Sequence, residues 1–215
     1  MVEVIGVNVG TPRLLVGGHE KTYSAIAKEP VPVGVRLWLS TGNLAGDAQA
    51  DLSVHGGPDK AVYAYPSEHL VTWSSEFGEP FGHAAFGENL SLRGLIEAEA
   101  GIGDVWKWDD ALLQVCQPRW PCFKLALHRR SREVQQWMRA SGRTGWYLRV
   151  LRPGEVVVGS PIEVTRRDPA GLTVEDAHLA MSDRHLHNRT RTEALAEHEA
   201  LANEWRLPLQ QRLAT

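Results

Sequence analysis

The sequence predicts a mainly β protein with α-helices: a closed or nearly closed β-barrel over residues 1–167, then a small helical domain over residues 168–215. Strand-like runs recur at intervals of about ten residues in the first part, as they do in barrels and sandwiches. Helical patterns there are too few to cover both faces of a parallel sheet, which argues against a wound α/β fold.

The strand candidates are alternating or β-branched apolar runs bounded by turn formers. They are residues 2–9, 13–16, 34–40, 61–65, 103–108, 111–116, 146–151, 155–158 and 162–166. We expect residues 13–16 to pair back with the first strand. We expect Pro153 and Gly154 to form a hairpin turn between the strands on either side.

The clearest helix candidate is residues 68–77, which follows Ser67 and repeats apolar residues at helical spacing. Residues 131–140 form a second. In the C-terminal domain, residues 173–176 resemble a helix start, Thr192 is expected to cap a helix over 193–203, and residues 209–213 suggest a last short helix. A unit of about 45 residues holds little core of its own. It should therefore dock on the barrel, on a partner, or on a second copy in a homodimer.

Composition limits the classes of function. The chain has 215 residues, of which 43% are hydrophobic and 23% charged, as in globular proteins with a real core. Its net charge of −3 gives no electrostatic case for nucleic acid or an anionic membrane, and no apolar run approaches the ~20 residues of a spanning helix. The N-terminus reads as a strand rather than a signal peptide, and two cysteines give no disulfide framework, so a cytoplasmic location is expected.

The central candidate site is Gln117-Pro-Arg-Trp-Pro-Cys-Phe-Lys124. Its two prolines fix φ and remove backbone donors, so the segment should not continue a helix or an inner strand. Cys122 is expected on a stiff loop between two cations, which favour the thiolate, the nucleophilic and metal-binding form of cysteine. The alternative is a half-buried cysteine beside ordinary surface charges. Cys116 ends an apolar strand and is expected to be a packed residue.

A second candidate is the loop His55-Gly-Gly-Pro-Asp-Lys60. Glycines let an anion approach the backbone N–H groups closely, and Lys60 adds a positive charge. A plain turn explains the same letters. Asn89 could offer an amide to a polar ligand, although turn chemistry explains it equally well.

Four stretches together resemble the MOSC family (molybdenum cofactor sulfurase C-terminal-like domains), and within it the YiiM-like proteins. They are residues 51–65 (DLSVHGGPDKAVYAY), 86–90 (FGENL), 117–125 (QPRWPCFKL) and 142–147 (GRTGWY). A glycine loop alone is common by chance, whereas four such stretches in order are not. The C-terminal part is similar to the three-helix appendage of YiiM-like proteins.

The resemblance implies a MOSC-type β-barrel that holds a molybdenum cofactor (Mo-molybdopterin), with the Cys122 thiolate as the metal ligand. A soft thiolate suits such a metal. It also implies a rim that binds the cofactor's phosphate and pterin. The candidate cofactor-binding residues are His55, Gly56, Gly57, Asp59, Lys60, Asn89, Gln117, Arg119 and Lys124.

The resemblance further implies reduction of N-hydroxylated compounds, such as hydroxylaminopurine-type base analogues, as a detoxification. An external reductase would supply electrons, because the chain has no cysteine run for an iron–sulfur cluster and no Gly-x-Gly-x-x-Gly after a strand. Two alternatives remain open. One is a cysteine-nucleophile enzyme with His55 or His128 as base. The other is a non-catalytic carrier of the cofactor or of sulfur.

Overall fold

A curled, mixed eight-stranded sheet forms the centre of the computed structural model, which describes residues 2–15, 22–52, 55–183 and 185–214. The strands are β1 (Glu3–Val9), β2 (Arg13–Leu15), β3 (Thr22–Ser24), β4 (Glu29–Pro30), β5 (Arg36–Leu39), β6 (Val62–Pro66), β7 (Leu90–Arg93), β8 (Val105–Trp108), β9 (Ala111–Pro118), β10 (Trp146–Arg152), β11 (Gly154–Val157) and β12 (Ile162–Arg166). The helices are α1 (Glu68–Phe77), α2 (Phe123–Arg129), α3 (Arg132–Ser141), α4 (Val174–Ser182), α5 (Arg189–Glu197) and α6 (Asn203–Leu213), with a 3-10 turn at Pro58–Lys60.

The strand order is β12-β8-β9-β10-β6-β7-β1-β4, and β6 and β7 are the parallel pair. A bridge between Val2 and Ile162 joins the start of the chain to β12 near the other end of the sheet. The sheet therefore curls into a half-barrel, followed by three C-terminal helices. This confirms the predicted fold class.

Two strand pairings differ from the sequence prediction. β2 pairs with β3 rather than with β1, because both edges of β1 are taken by β7 and β4. The predicted last residue of that strand, Val16, lies outside the described residues. β11 pairs with β5 rather than with β10, whose edges are taken by β9 and β6. Pro153 and Gly154 therefore carry the chain away from the large sheet instead of forming a hairpin.

The prediction that residues 117–124 would not continue an inner strand was also wrong at the first two of these residues. Pro118 is the last residue of β9, an inner strand, and stands opposite Trp146 of β10. A proline at the end of a strand removes only one donor from the ladder, so the pairing survives there.

Of the two helix starts predicted in the C-terminal part, one is confirmed and one is wrong. α4 starts at Thr173 as expected, with a reciprocal capping box to Asp176. α5 starts earlier, at Asn188, whose side chain accepts the Arg191 N–H. Thr192 lies inside that helix, and its hydroxyl donates to the Asn188 carbonyl. α6 is longer than predicted and contains Pro208.

The main apolar core fills the curled sheet and continues into the C-terminal helices. Trp106, Trp108 and Trp146 are fully buried in it, together with Leu195 and Leu209 from α5 and α6. The Ala202 N–H also donates to the Cys116 carbonyl of β9 at 2.9 Å. The C-terminal helices therefore dock on the barrel. The domain division at residue 167 falls between β12 and α4 and stays a prediction.

A second, aromatic cluster packs α1 and α3 against the loop that precedes β7. Trp73, Phe81 and Phe86 are buried in it, and the Trp73 ring lies 4.3 Å from that of Trp137. Across the described part of the chain, no helix combines the length and apolar character needed to span a bilayer.

Candidate functional site

Cys122 lies at the junction between the barrel and α2. The chain leaves β9 at Pro118, passes through Trp120 and Pro121, and starts α2 with Cys122 as its extended N-cap residue. The half-buried Cys122 Sγ lies 3.8 Å from Nε2 of His55, which belongs to the glycine loop. The fold thus brings together the two candidate stretches of the sequence.

The surroundings of Cys122 favour its thiolate. Burial alone would raise its pKa, but the hydrogen bond with His55 and the charge of Arg119 outweigh it, and the pKa falls to about 7. The Lys124 amide at the start of α2 adds a smaller effect in the same direction. A large fraction of this thiol is therefore ionised near neutral pH.

Cys116 has the opposite environment. It is fully buried, and its Sγ contacts the carbonyl oxygens of Asp59 at 3.2 Å and Tyr147 at 3.4 Å. Burial raises its pKa to about 12. Cys116 is a packed residue, and its thiol is an inert internal reference for Cys122.

A cleft opens beside the Cys122 thiol. Six of the predicted site residues line it: His55, Lys60, Asn89, Arg119, Cys122 and Lys124. Its remaining polar lining includes Lys28, Asp47, Tyr63 and Tyr147, and Phe86 and Ile26 contribute apolar surface.

The cleft carries net positive charge. Lys28, Lys60, Arg119 and Lys124 line it, whereas Asp47 is the carboxylate among its lining residues and is itself paired with Lys28. Cations that converge on one concave surface attract anions, most strongly where water is excluded. The arrangement suits a ligand with phosphate groups.

The Arg119 side chain is held in place by contacts within the protein. It is buried, and one guanidinium nitrogen donates to the Phe86 carbonyl at 2.6 Å while the guanidinium lies 4.7 Å from the centre of the Tyr63 ring. A fixed, buried cation loses little freedom when it stabilises a neighbouring negative charge.

The remaining predicted residues line a second cleft beside the first. Gly56, Gly57, Asp59 and Gln117 form its wall with Glu204 of α6, and Lys60 lines both clefts. Gly57 has φ of +97°, which favours glycine, and its position would leave room for a ligand.

Gln117 has an unsatisfied oxygen. Its side chain is buried, its Nε2 lies 3.4 Å from the Asp59 carbonyl, and its Oε1 has no hydrogen-bond partner among the described residues. A buried acceptor without a partner calls for an explanation, and a ligand N–H is one. The Asp59 carboxylate instead pairs with Arg149 at 2.8 Å.

Both polar atoms of the Asn89 side chain form hydrogen bonds within the protein. Its Oδ1 accepts the Tyr63 N–H at 3.0 Å, and its Nδ2 donates to the Asn8 carbonyl at 3.2 Å and to Asp47 at 3.0 Å. It ties β1 and β6 to the cleft wall. A role in binding pterin stays a prediction.

The sequence analysis missed Lys28, Asp47, Tyr63, Tyr147 and Glu204. Lys28, Asp47 and Glu204 lie in no motif, whereas Tyr63 and Tyr147 lie in two of the stretches that carry the family resemblance but were not singled out as site residues. Tyr63 and Tyr147 face each other only through the pairing of β6 with β10, and Glu204 arrives from the last helix.

Residues 51–163 match the MOSC domain, more than half of the chain. The chain belongs to the MOSC family. It is similar to YflK of Bacillus subtilis (40% identity, covering 94% of this chain and 90% of the relative). It is also similar to YiiM of Escherichia coli (39% identity, covering 88% and 84%).

Solved MOSC structures have the same fold. The crystal structure of YiiM from Geobacillus stearothermophilus superposes with a TM-score of 0.82 at 32% identity, covering 99% of this chain and 100% of that one. YiiM from Escherichia coli gives 0.78 at 31% identity, covering 100% and 93%. A protein named reductase from Gibberella moniliformis is 37% identical over 61% of this chain but only 24% of its own length.

MOSC domains in general are associated with the molybdenum cofactor, and the donors present here fit that group. Between them, the two clefts that share Lys60 offer one thiolate with a lowered pKa, several cations for phosphate and the unpartnered Gln117 oxygen for a ligand N–H. No set of three or more His, Cys, Asp or Glu that could hold a metal ion occurs in the described ranges. A metal at Cys122 would therefore need further ligands from its cofactor.

Proposed function

We propose that the protein binds a molybdenum cofactor through Cys122 and reduces N-hydroxylated compounds with electrons from an external reductase. Membership of the MOSC family and the fungal relative named reductase support an oxidoreductase of this family.

One observation carries the proposal: a half-buried thiol with a pKa of about 7 opens into a cleft lined by four basic side chains, of which Lys28 is paired with Asp47 and Lys60 with Glu204. A thiolate is the form of cysteine that binds metals, and the cations match a phosphate-bearing ligand.

The bound cofactor would supply the redox chemistry by which a hydroxylamine, two electrons and two protons give an amine and water. The chain's own residues have simpler tasks. His55 and Arg119 keep Cys122 ionised, Lys60 and Lys124 neutralise phosphate, and Gln117 accepts a hydrogen bond from the ligand.

The decisive experiment measures molybdenum per chain by elemental mass spectrometry after expression in cells that make the cofactor. We expect near-stoichiometric metal in the wild type and in Cys116→Ala, and loss of metal in Cys122→Ser. Reduction of a hydroxylaminopurine with reduced methyl viologen should follow the metal content. A well-folded wild type that takes up no molybdenum, even after reconstitution, contradicts the proposal.

A second candidate rests on the contact between His55 and Cys122. A thiolate beside an imidazole is also the arrangement of cysteine nucleophiles, in which the histidine acts as base. If the wild type lacks molybdenum but an electrophilic ester or thioester acylates Cys122, this candidate replaces the first. His128 has a pKa lowered by burial, and no contact with Cys122 supports it as the base.

The carrier alternative predicts metal without turnover. A loaded protein that transfers its cofactor to an apo-enzyme, but does not reduce N-hydroxylated compounds with viologen, would be a carrier. The same preparation therefore separates all three functions.

A further inference from the structure

A groove between α2 and α3 begins one residue away from the candidate ligand. Its lining consists of Phe123, Ala126, Leu127, Arg130, Ser131, Arg132, Gln135 and Gln136. Phe123 follows Cys122 directly as the first residue of α2, and 57% of its surface is exposed. We call this surface the α2–α3 groove.

The groove lies in the most basic part of the chain. Residues 119–143 contain seven Lys and Arg and a single acid, Glu133, although the whole chain has a net charge of −3. Arg130 and Arg132 are exposed at the groove itself. Arg129 is paired with Glu79, so the surplus charge at the groove comes chiefly from the exposed arginines.

Its shape and chemistry are those of a protein interface. The lining combines apolar side chains of α2 with arginines and glutamines at the rim, and exposed aromatic residues and arginines are enriched in such interfaces. The exposed Phe123 and the exposed Arg130 and Arg132 give this surface both an apolar and a basic component.

We propose that the α2–α3 groove is the docking surface for an acidic electron-transfer protein, such as a flavodoxin-type FMN carrier. The proposal rests on the proposed function, since a reductase without its own flavin or cluster must receive two electrons per hydroxylamine from a donor, which is oxidised. Charge complementarity selects the partner: an acidic face meets Arg130 and Arg132 while an apolar patch covers Phe123. Phe123, in the groove lining, is the residue that follows Cys122 in the chain.

A second copy of this chain fits the groove less well. A two-fold symmetric contact through this surface would place the arginines of one copy against those of the other. Like charges brought together in this way oppose association.

The test uses the double variant Arg130→Glu/Arg132→Glu and a control with the same charge change, Lys107→Glu/Arg166→Glu. Both control residues are exposed on β8 and β12 and lie outside the groove lining. Binding of an acidic flavodoxin to the unloaded protein is measured by calorimetry at low ionic strength. Turnover of the loaded protein is measured with flavodoxin and, separately, with methyl viologen.

We expect the groove variant to lower flavodoxin affinity and flavodoxin-dependent kcat/KM by about tenfold or more, and the control variant by less than about twofold. Viologen-dependent turnover should be the same in both. Equal effects in the two variants overturn the proposal, as does a wild type that viologen reduces but flavodoxin neither binds nor reduces. A dimer that dissociates only in the groove variant also overturns it.

The outcomes separate this proposal from the function it rests on. If the wild type does not turn over with viologen, the proposed reductase activity is contradicted. The binding measurement on the unloaded protein then still tests whether flavodoxin docks at the α2–α3 groove. If turnover with viologen is normal but the groove variant binds flavodoxin as tightly as the wild type does, only the docking surface is contradicted.

Discussion

Oε2 of Glu204 lies 2.5 Å from Nζ of Lys60, so the last helix of the chain reaches the rim of the candidate site. The lysine side chain is mostly buried at 13% exposure, whereas the glutamate is 53% exposed. The C-terminal helices therefore set part of the charge that an incoming anion meets at Lys60.

Replacing Glu204 by Gln should strengthen anion binding. Removing the carboxylate raises the positive potential at Lys60, and we expect the Kd for inorganic pyrophosphate, measured by calorimetry, to fall severalfold. The free energy of unfolding should change by less than about 1 kcal/mol, because the pair is half exposed. Glu193→Gln, which removes a surface pair with Arg189, is the control. An unchanged pyrophosphate Kd in Glu204→Gln would show that Lys60 is not part of an anion site.

His55 should control the acidity of Cys122. The hydrogen bond between them favours the thiolate, so His55→Ala should raise the Cys122 pKa from about 7 towards the ordinary thiol value. The rate of alkylation by iodoacetamide at pH 7 should fall by about fivefold if the pKa rises to about 8, and by more than about tenfold if it reaches the ordinary thiol value of about 8.5, because the thiolate fraction falls from about one half to about one tenth or one thirtieth. The measurement is the pH dependence of alkylation at each cysteine, followed by peptide mass spectrometry.

Cys116 provides the internal control for that experiment. Its pKa of about 12 and full burial predict no alkylation in the folded protein across the neutral range. Equal modification of Cys116 and Cys122 would mean that the protein had unfolded. An unshifted alkylation profile in folded His55→Ala would assign the low pKa to Arg119 instead.

Local sequence patterns were sufficient for much of this fold. The bounds of α1 and the Thr173 cap follow from side-chain periodicity and capping chemistry, which act within a few residues. Strand partners depend on which edges remain free once the sheet has closed, and for that reason the pairings of β2 and β11 were missed.

The candidate site was predictable only in its local pieces. The proline-braced cysteine and the glycine loop each carry recognisable residues, but their contact joins positions 67 apart. Lys28 has no motif at all. Its ammonium group can be buried in the cleft wall because the pairing with Asp47 offsets the cost of burying a charge, and that pairing exists only in the folded chain.

The buried pair of Lys28 and Asp47 should be sensitive to removal of one partner. The side chains are 8% and 2% exposed, and Asp47 also accepts the Gly10 N–H and an Asn89 N–H. Lys28→Met leaves the carboxylate without its counter-charge, and we expect the free energy of unfolding to fall by about 3–5 kcal/mol in urea titrations. Lys28→Met/Asp47→Asn should recover part of that loss. A double variant as unstable as the single one would show that packing of the lysine stem, rather than charge, dominates.

Trp205 should fix the C-terminal helices to the cysteine loop. Its ring is 2% exposed and lies 5.7 Å from the ring of Trp120, the residue two before Cys122. Trp205→Ala should lower the free energy of unfolding by about 3–5 kcal/mol in urea titrations, because it leaves a large cavity in the main core. Leu207→Ala on the same helix is the control, since Leu207 is 50% exposed and its replacement should cost less than about 0.5 kcal/mol.

Trp205→Ala should also change the reactivity of Cys122. If the C-terminal helices only covered the barrel, this variant would leave Cys122 unaffected under conditions in which the protein remains folded. We instead expect a shifted pH profile of Cys122 alkylation, because Trp120 loses one of the rings that hold the loop in place.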